Sequence, residues 1–262
     1  MRSVEMAQGM WCEEEDEFDE DIDLTLPESL LREYISLLLI EAAVPLAQIV
    51  SEGLALIKFE EGENTSLVLY DPRMFEKMIA QWTESRSELG APRITVEDVL
   101  LGYIDYGPSR VKGQTYGAKE VRFSGARSGY GPRMYDIAMA DAGILMSDRK
   151  SVSDAASGVW KKYLSDRHDD IEPIKLDVQT PKGGTEIRRR TELEYGYALK
   201  GRAPNVDGLI RRNQSVLTRL SMKYDVKVSE LKRKLEDLSG HFFEVKYFGT
   251  PIIFADDDFV SL

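Results

Sequence analysis

Three glycines and a proline fall within eight residues, Gly125-Ala126-Arg127-Ser128-Gly129-Tyr130-Gly131-Pro132, and this is the stretch best suited to chemistry. Glycine has no Cβ, so a backbone can turn sharply there and a ligand can approach it closely. Pro132 suits the first turn of a helix, where a missing N–H costs nothing. The amides that follow, near Arg133 to Tyr135, would stand at a helix N-terminus, which carries partial positive charge and unsatisfied donors. Such a turn can hold a pyrophosphate, and Arg127 and Arg133 can add charge-assisted hydrogen bonds. No Lys-Ser/Thr pair follows the last glycine, which excludes a P-loop, and no Gly-x-Gly-x-x-Gly is present, which excludes a dinucleotide fingerprint.

The elements around the turn must aim it. Residues 121 to 124 alternate as a strand does and lead into the turn. Residues 132 to 142 form a helical pattern with Met134, Ile137 and Ala138 on one face, and Gly143 suits its C-terminus. Ile144-Leu145-Met146 reads as a short buried strand. Ser151-Val152-Ser153-Asp154 opens a further helix, with Ser151 and Asp154 at capping-box spacing and Ala156, Val159, Trp160 and Tyr163 on its buried side.

Beyond this centre, Thr25-Leu26-Pro27-Glu28 starts a helix that runs to about Ala43. Residues 54–60 and 66–70 form a hairpin around Glu61 to Asn64. Asp71-Pro72 opens a helix over 73–85. Residues 95–106 fit either a short helix at 96–100 or a strand at 101–106, and Gly107-Pro108 ends them. Strands are expected at 174–178 and 186–198. Helices are expected at 206–223 and 229–242, with Ser229 as the cap of the second.

Composition bounds the function classes. The 262 residues are 42% hydrophobic and 31% charged, as in an ordinary globular chain large enough for a full core. No apolar run approaches the roughly 20 residues of a membrane span, and no apolar signal-peptide core follows Met1. One cysteine, Cys12, and two histidines, His168 and His241, disfavour a Cys/His metal site, and none is assigned. Asp166-Arg167-His168-Asp169-Asp170 reads as a solvated turn. The net charge is −12, but ten acids against Arg2 lie in the first 23 residues. The body is therefore nearly neutral, which disfavours general nucleic-acid binding. The tail itself, with Trp11, Phe18, Ile22 and Leu24 among its acids, reads as a solvated segment or as a docking peptide for a basic, grooved partner.

The order of elements resembles the GNAT acetyltransferase family. There a central antiparallel meander is followed by a glycine-rich turn and helix after the fourth strand, and a fifth strand leads to another helix. That family's turn reads Arg/Gln-x-x-Gly-x-Gly/Ala and holds the acyl-CoA pyrophosphate. Here Gly129 and Gly131 match the glycines, and Arg127 stands one residue closer than the basic position. The family's later helix starts with Asn, has Ala three residues on, and Tyr four further, often the acid for the leaving thiolate. In this chain Ser153, Ala156 and Trp160 occupy those places, and Tyr163 is the nearest phenol.

The resemblance implies an α+β domain with a mixed, mostly antiparallel sheet flanked by helices, and a C-terminal helix pair outside it. It implies acetyl-CoA or another acyl-CoA held by Arg127, Gly129, Tyr130, Gly131 and Arg133, with Tyr163 as candidate acid. A base that takes the amine proton would sit near a strand end, where Glu120, Asp105 and Asp148 lie, and Glu120 is the one named. Three regions are expected: a disordered acidic tail at 1–24, the GNAT-like domain at 25–204, and a helical hairpin and tail at 205–262. The expected function is N-acyl transfer or acyl-CoA binding in the cytoplasm. The alternative is a catalytically inactive GNAT-like structural or interaction protein, such as a phage particle component in host cytoplasm or virion. Protein partners would engage the acidic tail or the C-terminal helices.

Overall fold

A computed structural model describes residues 49, 52–84, 94–148, 152–178, 190–201 and 205–248. The acidic tail, the helix expected from Thr25 to Ala43, the start of the strand expected at 186–198, and the segment after 248 lie outside the described residues.

Leu54, Leu56, Leu67 and Leu69 alternate with Ala55, Ile57, Val68 and Tyr70, so the first two strands, β1 (Ala55–Glu61) and β2 (Asn64–Tyr70), bury both faces of their hairpin. Gly62, at φ +60°, makes the turn between them. Asp71 then begins α1 (Pro72–Glu84). The ambiguous stretch resolves into both of its readings in succession. Thr95 caps α2 (Val96–Val99) in a capping box with Asp98, and β3 (Leu100–Pro108) follows without a break.

β5 (Lys119–Ala126) leads into α3 (Gly131–Ala142), then β6 (Ile144–Met146) and α4 (Asp154–Ser165). β7 (Ile171–Lys175) and β9 (Tyr195–Leu199) complete a seven-stranded sheet in the order β1-β2-β3-β5-β6-β9-β7. Two short strands, β4 (Gly113–Gln114) and β8 (Asp177–Val178), pair separately. Every pairing in the large sheet is antiparallel except β5 with β6. The chain ends its described part with α5 (Val206–Tyr224) and α6 (Val228–Phe248). The protein is thus α+β, with a mixed, mostly antiparallel sheet flanked by helices and a C-terminal helix pair.

Four local expectations are corrected. The cap of α4 is Ser153, whose side chain accepts from the Ala156 amide, because the extended backbone at Ser153 adjoins the first helical turn. Helix α6 begins at Val228, with Glu230 and Leu231 amides donating to the Lys227 carbonyl, so Ser229 lies inside the helix. The strand expected at 174–178 begins at Ile171 and is divided at Leu176: Lys175 still pairs with Tyr195 of β9, whereas Asp177 and Val178 pair with Gln114 and Gly113 of β4. Of the strand expected at 186–198, residues Thr191–Glu194 form a 3-10 turn and β9 follows it.

Two apolar layers cover the sheet. One joins Leu56, Leu69, Val121, Leu145 and Tyr197 to α3 and α4. The other joins Ile57, Val68 and Tyr70 to α1, the second half of α5, and α6. Helix α5 enters both layers: Val206 and Leu209 belong to the first, and Leu217 and Leu220 to the second. It passes the β1 edge, where Arg212 donates to the Leu54 carbonyl (3.1 Å) and the buried Tyr70 hydroxyl donates to Asn213 Oδ1 (2.7 Å). No described helix is long and apolar enough to cross a membrane.

Candidate functional site

The glycine turn sits where β5 leaves the sheet. Its parallel partner β6 pairs through only two residue pairs, Lys119 with Leu145 and Glu120 with Met146. Past Glu120 and Met146 the two strands no longer pair, while β5 runs on to the turn at its far end. A bulge sets the same point. β3 opposes Phe123 with Asp105 and Val121 with Tyr106, which leaves Arg122 as the extra residue in β5. An extra residue bends a strand and strengthens its twist.

At the turn, the Arg127 amide donates to the Leu101 carbonyl (2.9 Å) and the Tyr130 amide to the Arg127 carbonyl (3.0 Å). Gly129 is buried at φ +86°, in the left-handed region that only glycine enters without strain. Tyr130 is the N-cap residue of α3 and supplies no side-chain cap; its hydroxyl instead donates to Glu52 (3.2 Å). Gly102 lets the helix seat closely, since a Cβ there would lie 2.5 Å from Met134 Cγ. Arg127 is exposed, and its charge acts on Asp98 and Tyr130.

Arg133 faces the protein. Its Nη1 donates to Asp136 Oδ2 (2.7 Å), and Arg167 Nη1 donates to Asp136 Oδ1 (2.7 Å). Asp136 is only 2% exposed, so two guanidinium groups hold its charge out of water. Arg167 also pairs with Asp170 and lies over the Tyr163 ring. The turn expected to be solvated at 166–170 therefore sends one half-buried arginine inward.

Tyr163 reaches the start of α3. Its hydroxyl lies 2.8 Å from Asp136 Oδ1 and 3.0 Å from the Pro132 carbonyl. Burial first, and then the Asp136 charge, push its phenol well above the ordinary value. Trp160 packs edge-on against Tyr135 (4.9 Å) and stacks on Tyr197 (5.2 Å). The Tyr135 hydroxyl meets Ser124 Oγ of β5 at 2.7 Å. An aromatic layer therefore ties α3 and α4 together.

Glu120 is at the other end of β5, roughly 20 Å of strand from the turn. It is 1% exposed and accepts from the Arg110 amide (2.8 Å) and Arg110 Nη2 (3.0 Å). Asp148 lies 3.7 Å from the same guanidinium. Asp105 accepts from Ser66 Oγ (3.1 Å), and burial raises its carboxyl pKa. Ser147, directly after the last β5–β6 pair, buries a hydroxyl with no hydrogen-bond partner among the described residues.

The structure thus brings Tyr163 to the turn and keeps Glu120 away from it. Sequence reading missed Asp136, Arg167 and the buried Glu192, which accepts from Ser157 Oγ at 2.6 Å. The Arg133–Asp136 spacing of three residues on one helix was the single available signal. No protein-family model, curated protein or solved structure matches this chain.

Proposed function

We propose that the protein binds an acyl-CoA in the manner of the GNAT family, with the pyrophosphate at the β5–α3 turn and the extended arm of the ligand along β5. The observation that carries this reading is the end of β5–β6 pairing at Glu120 and Met146, which leaves the rest of β5, up to the glycine turn, unpaired with β6. A strand edge that loses its partner offers backbone donors and acceptors, and the pantetheine arm of CoA carries amides that can take them up. Gly129 and the helix start without a side-chain cap supply the anion end.

Transfer to an amine is the active form of this reading. It needs a base and an acid, and the two residues named for those roles are engaged elsewhere: Glu120 with Arg110 and Tyr163 with Asp136. Binding is therefore the better supported half. The same engagement favours a second reading, a catalytically inactive GNAT-like structural or interaction protein in host cytoplasm or virion. Trp160, deep in the aromatic layer at the phenol's place, favours it too.

Calorimetry of the full chain with acetyl-CoA, beside the Gly129→Asp variant, tests the proposal. Binding by the natural protein and a loss of tenfold or more in the variant are expected, about 1.4 kcal/mol. No binding by either, or equal binding by both, would leave the second reading. Release of free CoA thiol from acetyl-CoA in the presence of amines then separates a transferase from a binder.

A further inference from the structure

We infer that residues 1–24 of the same chain dock on the exposed face of α5. That face carries Arg211, Gln214, Thr218 and Met222 at helical spacing, with Arg219 and Lys223 beside them, in a shallow concavity of about 830 Å³. Met222 is 81% exposed, the most exposed large apolar side chain among the described residues. Met222 thus stands open on this face beside Arg219 and Lys223.

Charge selects that partner. Glu76 is shared by Arg219 (2.9 Å) and Lys223 (2.7 Å), and Arg211 has no ion pair among the described residues, so the face keeps a net positive charge. The body of the chain is nearly neutral, whereas the first 23 residues hold ten acids against one arginine. Among those acids stand Trp11, Phe18 and Ile22, which suit Met222 as the acids suit the cations.

Reach is satisfied as well. The described chain enters β1 through Leu54, whose carbonyl accepts from Arg212 of α5. The tail is therefore tethered beside the helix it would cover, and about 30 residues of connecting chain span far more than the roughly 28 Å length of α5. Tethering gives an effective concentration on the order of millimolar, so even a weak intrinsic contact is populated. This inference stands apart from acyl-CoA binding and holds or fails without it.

Cys12 is the only cysteine of the chain and lies in the tail, so a nitroxide can be attached there without mutation. The readout is broadening of the Met222 methyl resonance in the full-length protein labelled with 13C at methionine methyls. At low salt its intensity should fall to less than about half that of the reduced label, and it should recover at about 0.5 M salt, where the Debye length is only a few ångströms. The intensity should also recover in Arg211→Glu/Lys223→Glu. It should recover equally in a tail variant, Glu13→Gln/Glu14→Gln/Glu15→Gln/Asp16→Asn, which leaves the helix face intact. An unbroadened Met222, or broadening that ignores salt and both variants, would overturn the inference. So would equal broadening of 13C-labelled Cys12→Ser chains mixed with nitroxide-labelled chains that carry no 13C, since that places the tail on a second copy.

Discussion

Tyr163 and Asp136 meet at 2.8 Å in the interior, where the phenol of α4 touches the carboxylate of α3 at the foot of the glycine turn. Arg133 and Arg167 complete the set, so one buried carboxylate collects two cations and a hydroxyl. The arrangement fixes the orientation of α3, and with it the direction in which the turn's amides point. Tyr163 is in this sense a positioning residue for the turn.

Tyr163→Phe should therefore lower stability by about 1.5–3 kcal/mol, the cost of one lost hydrogen bond to a charged group. Urea unfolding measures it. Any CoA release found in the natural protein should survive this change within a factor of a few; a loss of a thousandfold would restore the phenol as a catalytic acid.

Asp136→Ala removes the shared partner of two arginines. Both guanidinium groups keep some contact with water, so the penalty belongs at the lower end of that for a broken buried pair, about 3 kcal/mol. Arg133→Met alone should cost less, because Arg167 still compensates the carboxylate. Chemical denaturation of the two variants gives the order.

The two glycines of the turn should behave differently. Gly129→Ala forces a Cβ into left-handed backbone at φ +86° and should cost about 1–2 kcal/mol. Gly131→Ala meets nothing within 4 Å and has no positive φ, so it should be neutral or slightly stabilising through a less flexible unfolded chain. Equal effects in thermal melts would contradict the turn geometry.

Lys234 of α6 lies 3.6 Å from the centre of the Trp82 ring of α1, and burial lowers its pKa to about 8. The ordinary value is 10.5. Between these two values the unfolded chain binds the proton that the folded one has released, so stability from this site rises with pH across that window. Below about pH 8 the penalty is present in full. Lys234→Met should raise stability at neutral pH and flatten the rise between pH 8 and 10.5, as followed by denaturant midpoints.

Glu192 is the one buried carboxylate with no cation among the described residues: Glu120 has Arg110 and Asp136 has two arginines. Gln keeps the acceptor for Ser157 and removes the charge. Glu192→Gln should stabilise the protein by about 1 kcal/mol or more at neutral pH. A melting temperature that falls would show that the charge is needed.

Much of the central fold is legible in the sequence because its signals are local. Ile144-Leu145-Met146 is a strand because three apolar residues stand between Gly143 and a polar loop, and the helix before it is set by Pro132 and Gly143. The hairpin of β1 and β2 follows from alternation and a glycine turn. What escaped depends on residues distant in the chain. Arg167 reaches Asp136 across 31 positions, and nothing near either residue reveals it. The strand expected at 174–178 is split because Asp177 and Val178 pair with Gln114 and Gly113, more than 60 residues earlier in the chain. Ser151 and Ser153 carry the same oxygen two residues apart, and the extended backbone at Ser153 beside the first turn makes it the cap. The candidate base Glu120 was visible by position, but its commitment to Arg110 needed the loop to fold back over β5.

Helix α5 puts side chains into both apolar layers and fastens to the Leu54 carbonyl between them. The consequence concerns how the molecule comes apart. A layer cannot open while its neighbour stays closed, since one rigid rod of 19 residues would have to leave both. Hydrogen exchange should therefore record the amides of β1, β2 and α5 as a single opening unit with the full free energy of unfolding. A chain cut before Val206 should yield a collapsed, dye-binding state in place of a smaller native domain.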